Sequence, residues 1–400
     1  MSAPKGKSDS ARAIGLEVSL AIAEAVKLAE AEVVAAYPIT PQTHIVEHLS
    51  ELVANGELTA EYVPVESEQS AMSACIGAAA AGARTFTSTS SQGLLLMAEM
   101  LYIASILRLP IVMAMVNRAI SGPINIWNDH SDAMSVRDCG WIQVFAETGQ
   151  EAVDLTIMSF RIAEDPGVLL PLIVNLDGFT LSHFIEPVIL PEAAEVRRFL
   201  PPYETAHKLD IQNPLSLGAL GGPEIYTEAR RALDLALTGA KPRIQRVFDD
   251  FAKVFGRQYK LVETYRTEGA ETILVTMGSI SETAMTAVDE MREAGQKVGL
   301  VRLRLWRPFP VEEFRAAVAG AKNLAVIDRA MILGFPEGPV ATEIRALLYH
   351  EKNRPHMTNF ILGLGGRDVP RSHFKHIVER VRELGASGRQ GRYELVGVLE

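Results

Sequence analysis

Three places in this 400-residue chain set a reactive side chain where an apolar strand gives way to a helix or loop. The first is Tyr37-Pro38-Ile39-Thr40-Pro41-Gln42-Thr43, directly after the β-type run Val33-Val34-Ala35-Ala36. In an open parallel sheet such a corner exposes backbone donors and a hydroxyl at the carboxyl end of the strand, where α/β proteins bind ligands. The Thr40 hydroxyl, with N–H groups at a positive helix end, suits a carboxylate or carbonyl oxygen. The same Thr-Pro pair also makes an ordinary helix start, threonine as N-cap and proline in the first helical position. The second place is Glu68, after Glu66-Ser67. It either steadies the helix dipole from the first turn or, if buried, holds a proton for the ring nitrogen of a heterocycle. The third is Arg118, at the end of the strand Ile111 to Val116; its planar fork suits a small carboxylate, and its charge alone equally marks a surface. Asn128-Asp129-His130-Ser131-Asp132 contains metal-capable residues at a spacing that matches no strong metal motif, and reads as a polar loop. No metal ligand is expected in this chain.

The elements that must position these residues follow from periodicity. Apolar residues at Ile14, Leu16, Val18, Ile22, Ala25 and Val26 predict a helix from Ala11 to Glu30. A helix from near Pro41 to Val53 ends at Asn55-Gly56. The strand Glu61 to Val65 leads into a helix of small residues (Ala71, Ser73, Ala74, Gly77, Ala78 to Ala81), suited either to tight sheet packing or to a ligand lying close to the backbone. Thr85 to Thr89, Ile111 to Val116, Ile142 to Phe145 and Leu172 to Leu176 are further strands, interleaved with helices Leu94 to Leu107 and Gln150 to Ala163. Alternating strands and helices predict one doubly wound parallel sheet with right-handed crossovers, ending near Leu181. Prolines and glycines break the rhythm from Pro187 to Tyr259, where helices Ile225 to Leu237 and Pro242 to Phe255 remain readable. A second, smaller α/β set starts at Thr272 to Ser279. Its strands are Val298 to Leu305, Leu324 to Ile327 and Asn359 to Leu362; its helices are Ser281 to Ala294, Val311 to Ala319, Ala341 to His350 and Ser372 to Leu384. The expected organisation is a disordered lead over 1–10, a first domain with its helical extension over 11–262, a second domain over 263–388 and a tail over 389–400.

Composition narrows the function. A chain 48% hydrophobic and 22% charged has enough apolar surface for two globular domains. A net charge of -10 without a basic block argues against nucleic acid as partner. Two distant cysteines, Cys75 and Cys139, support neither a disulfide framework nor a self-contained iron–sulfur site, and point to a reducing cytoplasm. The polar N-terminus lacks a signal-peptide core, and the most apolar window, Leu94 to Val116, is broken by Glu99, Arg108 and Pro110, so no membrane span is expected.

Taken together, Tyr37-Pro38-Ile39-Thr40-Pro41, Glu66-Ser67-Glu68, Thr89-Ser90-Ser91-Gln92-Gly93-Leu94, Asn117-Arg118-Ala119, Asn128 to Asp132, Leu176-Asp177-Gly178-Phe179 and Arg304-Leu305-Trp306-Arg307-Pro308-Phe309 resemble the α subunit of multi-subunit pyruvate:ferredoxin oxidoreductases, in order and over nearly the whole chain. The resemblance implies a pyrimidine-binding thiamine diphosphate domain followed by a transketolase-C-terminal-like domain. It implies that Glu68 is the catalytic glutamate that hydrogen-bonds the cofactor's aminopyrimidine ring, with Pro38, Ile39, Ser91 and Gln92 also against the cofactor. Thr40 and Arg118 match residues that hold the substrate's carboxylate and carbonyl. The implied reaction is oxidative decarboxylation of pyruvate with coenzyme A, electrons passing to ferredoxin; relatives acting on 2-oxoglutarate, branched-chain 2-oxo acids or oxalate share most of these corners.

The chain lacks Gly-Asp-Gly followed downstream by Asn-Asn, the usual diphosphate–magnesium signature, and has too few cysteines for a four-thiolate cluster. Mg²⁺ and [4Fe-4S] clusters are therefore expected on partners: a β subunit with the diphosphate site, iron–sulfur and γ-type subunits, in a dimer of heteromers. Two other readings stand beside this one. A non-catalytic assembly subunit would keep the fold alone. A free-standing nucleotide-binding enzyme is disfavoured because no strand runs into Gly-x-Gly-x-x-Gly; Gly363-Leu364-Gly365-Gly366 is only partial.

Overall fold

The computed structural model describes residues 13–205, 208–218, 220–388 and 393–399. All seven residues of Ile111–Asn117 are buried, as required of a strand covered by helices on both faces. Val112, Ala114 and Val116 join one apolar cluster with Ile22, Phe86 and Phe160. Ile111, Met113 and Met115 join another with Ala71, Leu94 and Leu101. The period of two along this strand thus places a core on either side of one sheet.

The first described elements are β1 (Ile14–Glu17) and α1 (Val18–Leu28). They are followed by β2 (Val33–Ala36), α2 (Thr43–Ala54), β3 (Glu61–Pro64), α3 (Glu68–Ala80), β4 (Thr85–Thr89), α4 (Ser91–Ile106), β5 (Ile111–Asn117), α5 (Ser131–Ser135), β6 (Ile142–Phe145), α6 (Gly149–Ala163) and β7 (Leu172–Asp177). Six of these strands lie parallel in the order β6-β7-β5-β4-β2-β3. β8 (Ile185–Val188) returns antiparallel to β1, and α7 (Ala193–Phe199) and the long α8 (Pro223–Phe255) pack over the α1 and α6 side.

The second part contains β9 (Val262–Tyr265), β10 (Thr272–Thr276), α9 (Ile280–Glu293), β11 (Val298–Leu303), β12 (Leu305–Arg307), α10 (Val311–Ala317), β13 (Asn323–Asp328), α11 (Pro339–Leu348), β14 (His356–Ile361), α12 (Arg371–Ser387) and β15 (Glu394–Leu395). Its sheet runs β15-β14-β13-β10-β11-β9, with only the edge strand β9 antiparallel.

Four segments of the sequence reading take a different course in the structure. The expected first helix begins as a strand: Ile14 to Glu17 pair with Val188 to Ile185, and helix starts only at Val18. Leu16 fits both a helical and a strand pattern, and the distant partner decides. The two helices read on either side of Pro242 are one, Pro223–Phe255. A proline there removes a single helical hydrogen bond, while Leu233, Ala240, Ile244, Val247, Phe248 and Phe251 form an unbroken buried stripe across it. The expected strand Val298 to Leu305 is split, because the chain leaves the second sheet after Leu303 and β12 adds antiparallel to β6 of the first. Within the expected tail, β15 pairs with β14. The expected lead over 1–10 lies outside the described residues.

Candidate active site

Glu68 is the first residue of α3, whose N-cap Ser67 accepts the Ser70 N–H at 3.2 Å. A first-turn acid that only complements the helix dipole would lie exposed; Glu68 is 5% exposed. Its carboxylate makes no hydrogen bond or ion pair among the described residues, although a buried charge without a partner is costly. Across from it lies Gly93 in the first turn of α4. A Cβ at Gly93 would sit 2.6 Å from Glu68 Oε1 and 2.4 Å from Thr89 Oγ1, so only glycine leaves the Glu68 carboxylate where it is. At the same corner the Thr89 and Ser90 hydroxyls are buried and unpartnered. The small residues of α3 divide between two surroundings: Ala71, Cys75 and Ala79 are buried on the β2 and β4 side, while Ser73 and Gly77 face outward and exposed.

The Thr40 corner is not a helix cap. The Thr40–Pro41 peptide is cis, and α2 starts at Thr43 with Gln42 as N-cap. Gln42 is fully buried; its Nε2 donates to the Tyr37 carbonyl at 2.6 Å, and its Oε1 accepts from Ser88 Oγ at 3.2 Å. This holds the loop Pro38-Ile39-Thr40 outward, with Pro38 and Thr40 exposed. Arg118, expected near the surface or at a ligand, is 7% exposed. Its Nη1 donates to the Thr40 carbonyl at 3.0 Å and its Nε to the Asn125 carbonyl at 2.8 Å. Burial lowers its pKa from the ordinary arginine value, against the opposing pull of Asp132. Thr40 and Arg118 are therefore in contact, through the Thr40 backbone carbonyl.

Asn128 to Asp132, expected as a solvated polar loop, is buried at Asn128, Asp129, His130 and Asp132. The reason is Asp132, fully buried, which accepts the Arg118 N–H at 2.9 Å, the Ser91 N–H at 3.2 Å, Asn117 Nδ2 at 3.0 Å and its neighbour Ala133 N–H at 2.7 Å. One carboxylate thus ties the end of β5 to the start of α4. Burial pushes its pKa up to about 7, against the lowering effect of these donors. Ser91, held at φ 43° beside this anchor, has its Oγ 2.7 Å from both the Ala119 carbonyl and Gln92 Oε1, so its hydroxyl is engaged within the chain.

A second buried acid joins the two domains. Asp177, at the end of β7, contacts Arg329 Nη1 at 2.7 Å and His130 Nε2 at 3.0 Å, and accepts the Ser279 N–H at 2.8 Å. Burial pushes its carboxyl up, but Arg329 and His130 outweigh burial and hold it well below the ordinary range. Arg304 does similar work elsewhere, spanning Glu151 of α6 and Glu263 of β9 at 2.6 and 2.8 Å. Asp132, Asp177 and Arg329 were not among the expected site residues. Asp132 was visible only within the polar stretch Asn128 to Asp132 and Asp177 only as a polar residue closing a strand, and nothing local distinguished Arg329.

The sheet, the buried unpartnered glutamate and the glycine beside it mark a cofactor-sized corner, and the chain's relatives name the class of protein that carries one. A family model described as pyruvate flavodoxin/ferredoxin oxidoreductase, thiamine diphosphate-binding, matches residues 24–249, and one described as pyruvate:ferredoxin oxidoreductase core domain II matches residues 270–374. "Pyruvate synthase subunit PorA" of Methanocaldococcus jannaschii is 51% identical over 366 residues, 91% of this chain and 93% of that protein. "Ketoisovalerate oxidoreductase subunit VorA" of Pyrococcus abyssi is 45% identical over 374 residues, 93% of this chain and 94% of that protein. The chain belongs to the pyruvate:ferredoxin oxidoreductase family. A solved structure of 2-oxoglutarate:ferredoxin oxidoreductase from Magnetococcus marinus shares the fold at TM-score 0.69 and 22% identity, over 94% of this chain; this chain spans 65% of that one. Among the described residues, no helix is long and apolar enough to cross a membrane.

The residues present fit the cofactor of that family. A buried acceptor with no internal partner, a Cβ-free wall and two unpaired hydroxyls suit a flat heterocycle bearing a ring nitrogen and an amino group.

Proposed function

We propose that this chain is the α subunit of a thiamine diphosphate-dependent pyruvate:ferredoxin oxidoreductase, converting pyruvate and coenzyme A reversibly to acetyl-CoA and carbon dioxide, with electrons passed to ferredoxin. The observation that carries this reading is the buried Glu68 carboxylate without a protein partner, set against Gly93. When bound, thiamine diphosphate supplies the nucleophilic carbon and the electron sink that a 2-oxo acid needs to lose carbon dioxide. Glu68 holds a proton at a ring nitrogen of the cofactor. Pro38, Ile39 and Gln92 border the ring, and Ser91 positions that border through Asp132. Thr40 Oγ and the remaining Arg118 donors bind the 2-oxo acid's carboxylate and carbonyl oxygen, and the Arg118–Thr40 contact fixes their spacing.

The half-site is completed by other chains. The outer face of α4 exposes Leu95, Leu96 and Tyr102 within three turns of Gly93, beside exposed Ser73 and Gly77 of α3, and this is the surface on which a β subunit with the diphosphate and Mg²⁺ would close. The two cysteines, both free and buried, support placing the [4Fe-4S] clusters on iron–sulfur and γ-type partners, in a dimer of heteromers in the cytoplasm. Pyruvate is favoured by the 51% identical relative. A branched-chain 2-oxo acid is the second reading, because the ketoisovalerate relative is nearly as similar.

Glu68→Gln in the assembled enzyme tests the reading. Loss of the proton-holding group is expected to lower 2-oxo acid-dependent ferredoxin reduction ~10²-fold or more, with subunit stoichiometry unchanged. Near-normal turnover in an intact complex would leave only an assembly role. Comparing kcat/KM across pyruvate, 2-oxoisovalerate and 2-oxoglutarate decides the substrate.

A further inference from the structure

One cluster of metal-ligating side chains converges from three separate elements behind the Thr40 corner. Glu17 ends β1, His44 lies in the first turn of α2, and His183 lies in the turn after β7. His44 Nδ1 is 2.6 Å from Glu17 Oε1, and the two imidazole centroids are 4.5 Å apart at a 32° tilt. One ligating atom from each of the three residues lies within 4.8 Å of the other two. A hydrogen-bonded Glu–His pair accounts for Glu17 and His44, and the second imidazole, His183, packs between the His44 and Phe179 rings with centroids 4.5 and 4.7 Å away.

His183 is arranged as a ligand is. Its Nδ1 is 2.8 Å from Ser182 Oγ, an oxygen that also accepts the Phe179 N–H at 2.9 Å. Nε2 has no hydrogen-bond partner among the described residues, so it is the ring nitrogen open to a metal ion, giving up its proton on binding when Ser182 Oγ–H donates to Nδ1. This is how metal-binding histidines are commonly oriented, one ring nitrogen anchored and the other presented.

We propose that Glu17, His44 and His183 form a binding site for a divalent transition-metal ion, of which zinc is the representative. Two imidazole nitrogens and one carboxylate oxygen match zinc and its neighbours rather than magnesium or calcium, which prefer all-oxygen sets. The side chains of Glu17 and His44 are partly exposed, so a fourth position opens to water. The ion would join β1, α2 and the turn after β7. That turn backs onto the substrate corner, since a Cβ at Gly178 would sit 2.7 Å from Pro41 Cγ. The site stands independently of the proposed reaction.

The test uses the full-length chain, stripped with a chelator, dialysed against micromolar zinc, then freed of loose metal by gel filtration. Wild type is expected to keep one equivalent of zinc, and His183→Gln and His44→Gln to lose it with unchanged far-ultraviolet circular dichroism. Zinc should raise Tm in a concentration-dependent way for wild type only. In the assembled enzyme, zinc K-edge absorption should show imidazole nitrogens near ~2.0 Å, distinct from any iron signal, and it serves as the readout if a variant fails to fold. Equal zinc retention by wild type and His183→Gln, no retention by wild type, or a sulfur-dominated spectrum overturns the proposal.

Discussion

Asp132 and Glu68 flank the first turn of α4, Asp132 accepting the Ser91 N–H and Glu68 facing Gly93 two residues further on. Both are buried carboxylates at the carboxyl end of one sheet, and their surroundings are opposite. Asp132 accepts four N–H donors, three of them from other segments, and fixes the corner. Glu68 accepts none among the described residues, and its helix is capped by Ser67 instead. A buried acceptor left open costs on the order of 1–3 kcal/mol, more if charged. Asp132 thus holds the fold together, whereas Glu68 has no partner among the described residues, which is what the proposed cofactor role requires.

The comparison breaks most sharply at Gly93. Gly93→Ala puts a methyl carbon at 2.6 Å from Glu68 Oε1 and 2.4 Å from Thr89 Oγ1. The Glu68 carboxylate end can swing away, but Thr89 Oγ1 sits on a short, fully buried side chain with little room to move, so Glu68 is displaced and some stability is lost with it. Misplacing a catalytic group by about an ångström costs ~10²-fold, and turnover of the assembled enzyme is expected to fall by that much, with a smaller loss of Tm from the Thr89 contact. Full activity in Gly93→Ala would show that the Glu68 position is not what the site depends on.

A smaller effect is expected at Arg118, which belongs to both sides of the comparison. Its backbone N–H serves Asp132, while its guanidinium spans Thr40 and Asn125. Arg118→Lys keeps the charge and the backbone bond but loses the planar fork. KM for the 2-oxo acid should rise ~10-fold, equivalent to about 1.4 kcal/mol, with kcat less affected. A fall in Tm with KM unchanged would reassign Arg118 as a strut for the Thr40 loop.

Much of this site was legible before the fold. The strand-to-helix corners at Thr40, Glu68 and Arg118 follow from apolar runs ending in polar residues, and the structure brings Arg118 against Thr40. Sequence misjudged Thr40-Pro41 as a helix start, because local preference does not see Gln42 buried against Tyr37 and Ser88. It took Asn128 to Asp132 for a solvated loop, since the donors that bury Asp132 come from Ser91, Asn117 and Arg118, up to 41 residues away. The link from Asp177 to Arg329 spans 152 residues. Glu17, His44 and His183 likewise show no periodic spacing, and only the packing of β1, α2 and the turn after β7 joins them. Local pattern names elements and strand ends; pairings between distant polar residues appear only in three dimensions.

The smallest effect separates Asp132 from Asp177, both fully buried but differently partnered. Asp132 meets neutral donors, and burial pushes it up to about 7; Asp177 meets the Arg329 cation and is held low. An unfolded aspartate titrates near ~4. Between about 4 and 7, native Asp132 therefore keeps a proton that the unfolded chain has released, so its contribution to stability declines as pH rises through that window. For Asp177 the sign reverses: its contribution is fully present above about 4 and is lost as pH falls below it. Against Asp132→Asn, which mimics the neutral acid, the Tm advantage of wild type should shrink from pH 4 to pH 7 and then level off. Against Asp177→Asn the advantage should hold across that range and shrink only at lower pH. Parallel curves for the two variants would mean that burial alone, and not the Arg329 partner, sets how these carboxylates titrate.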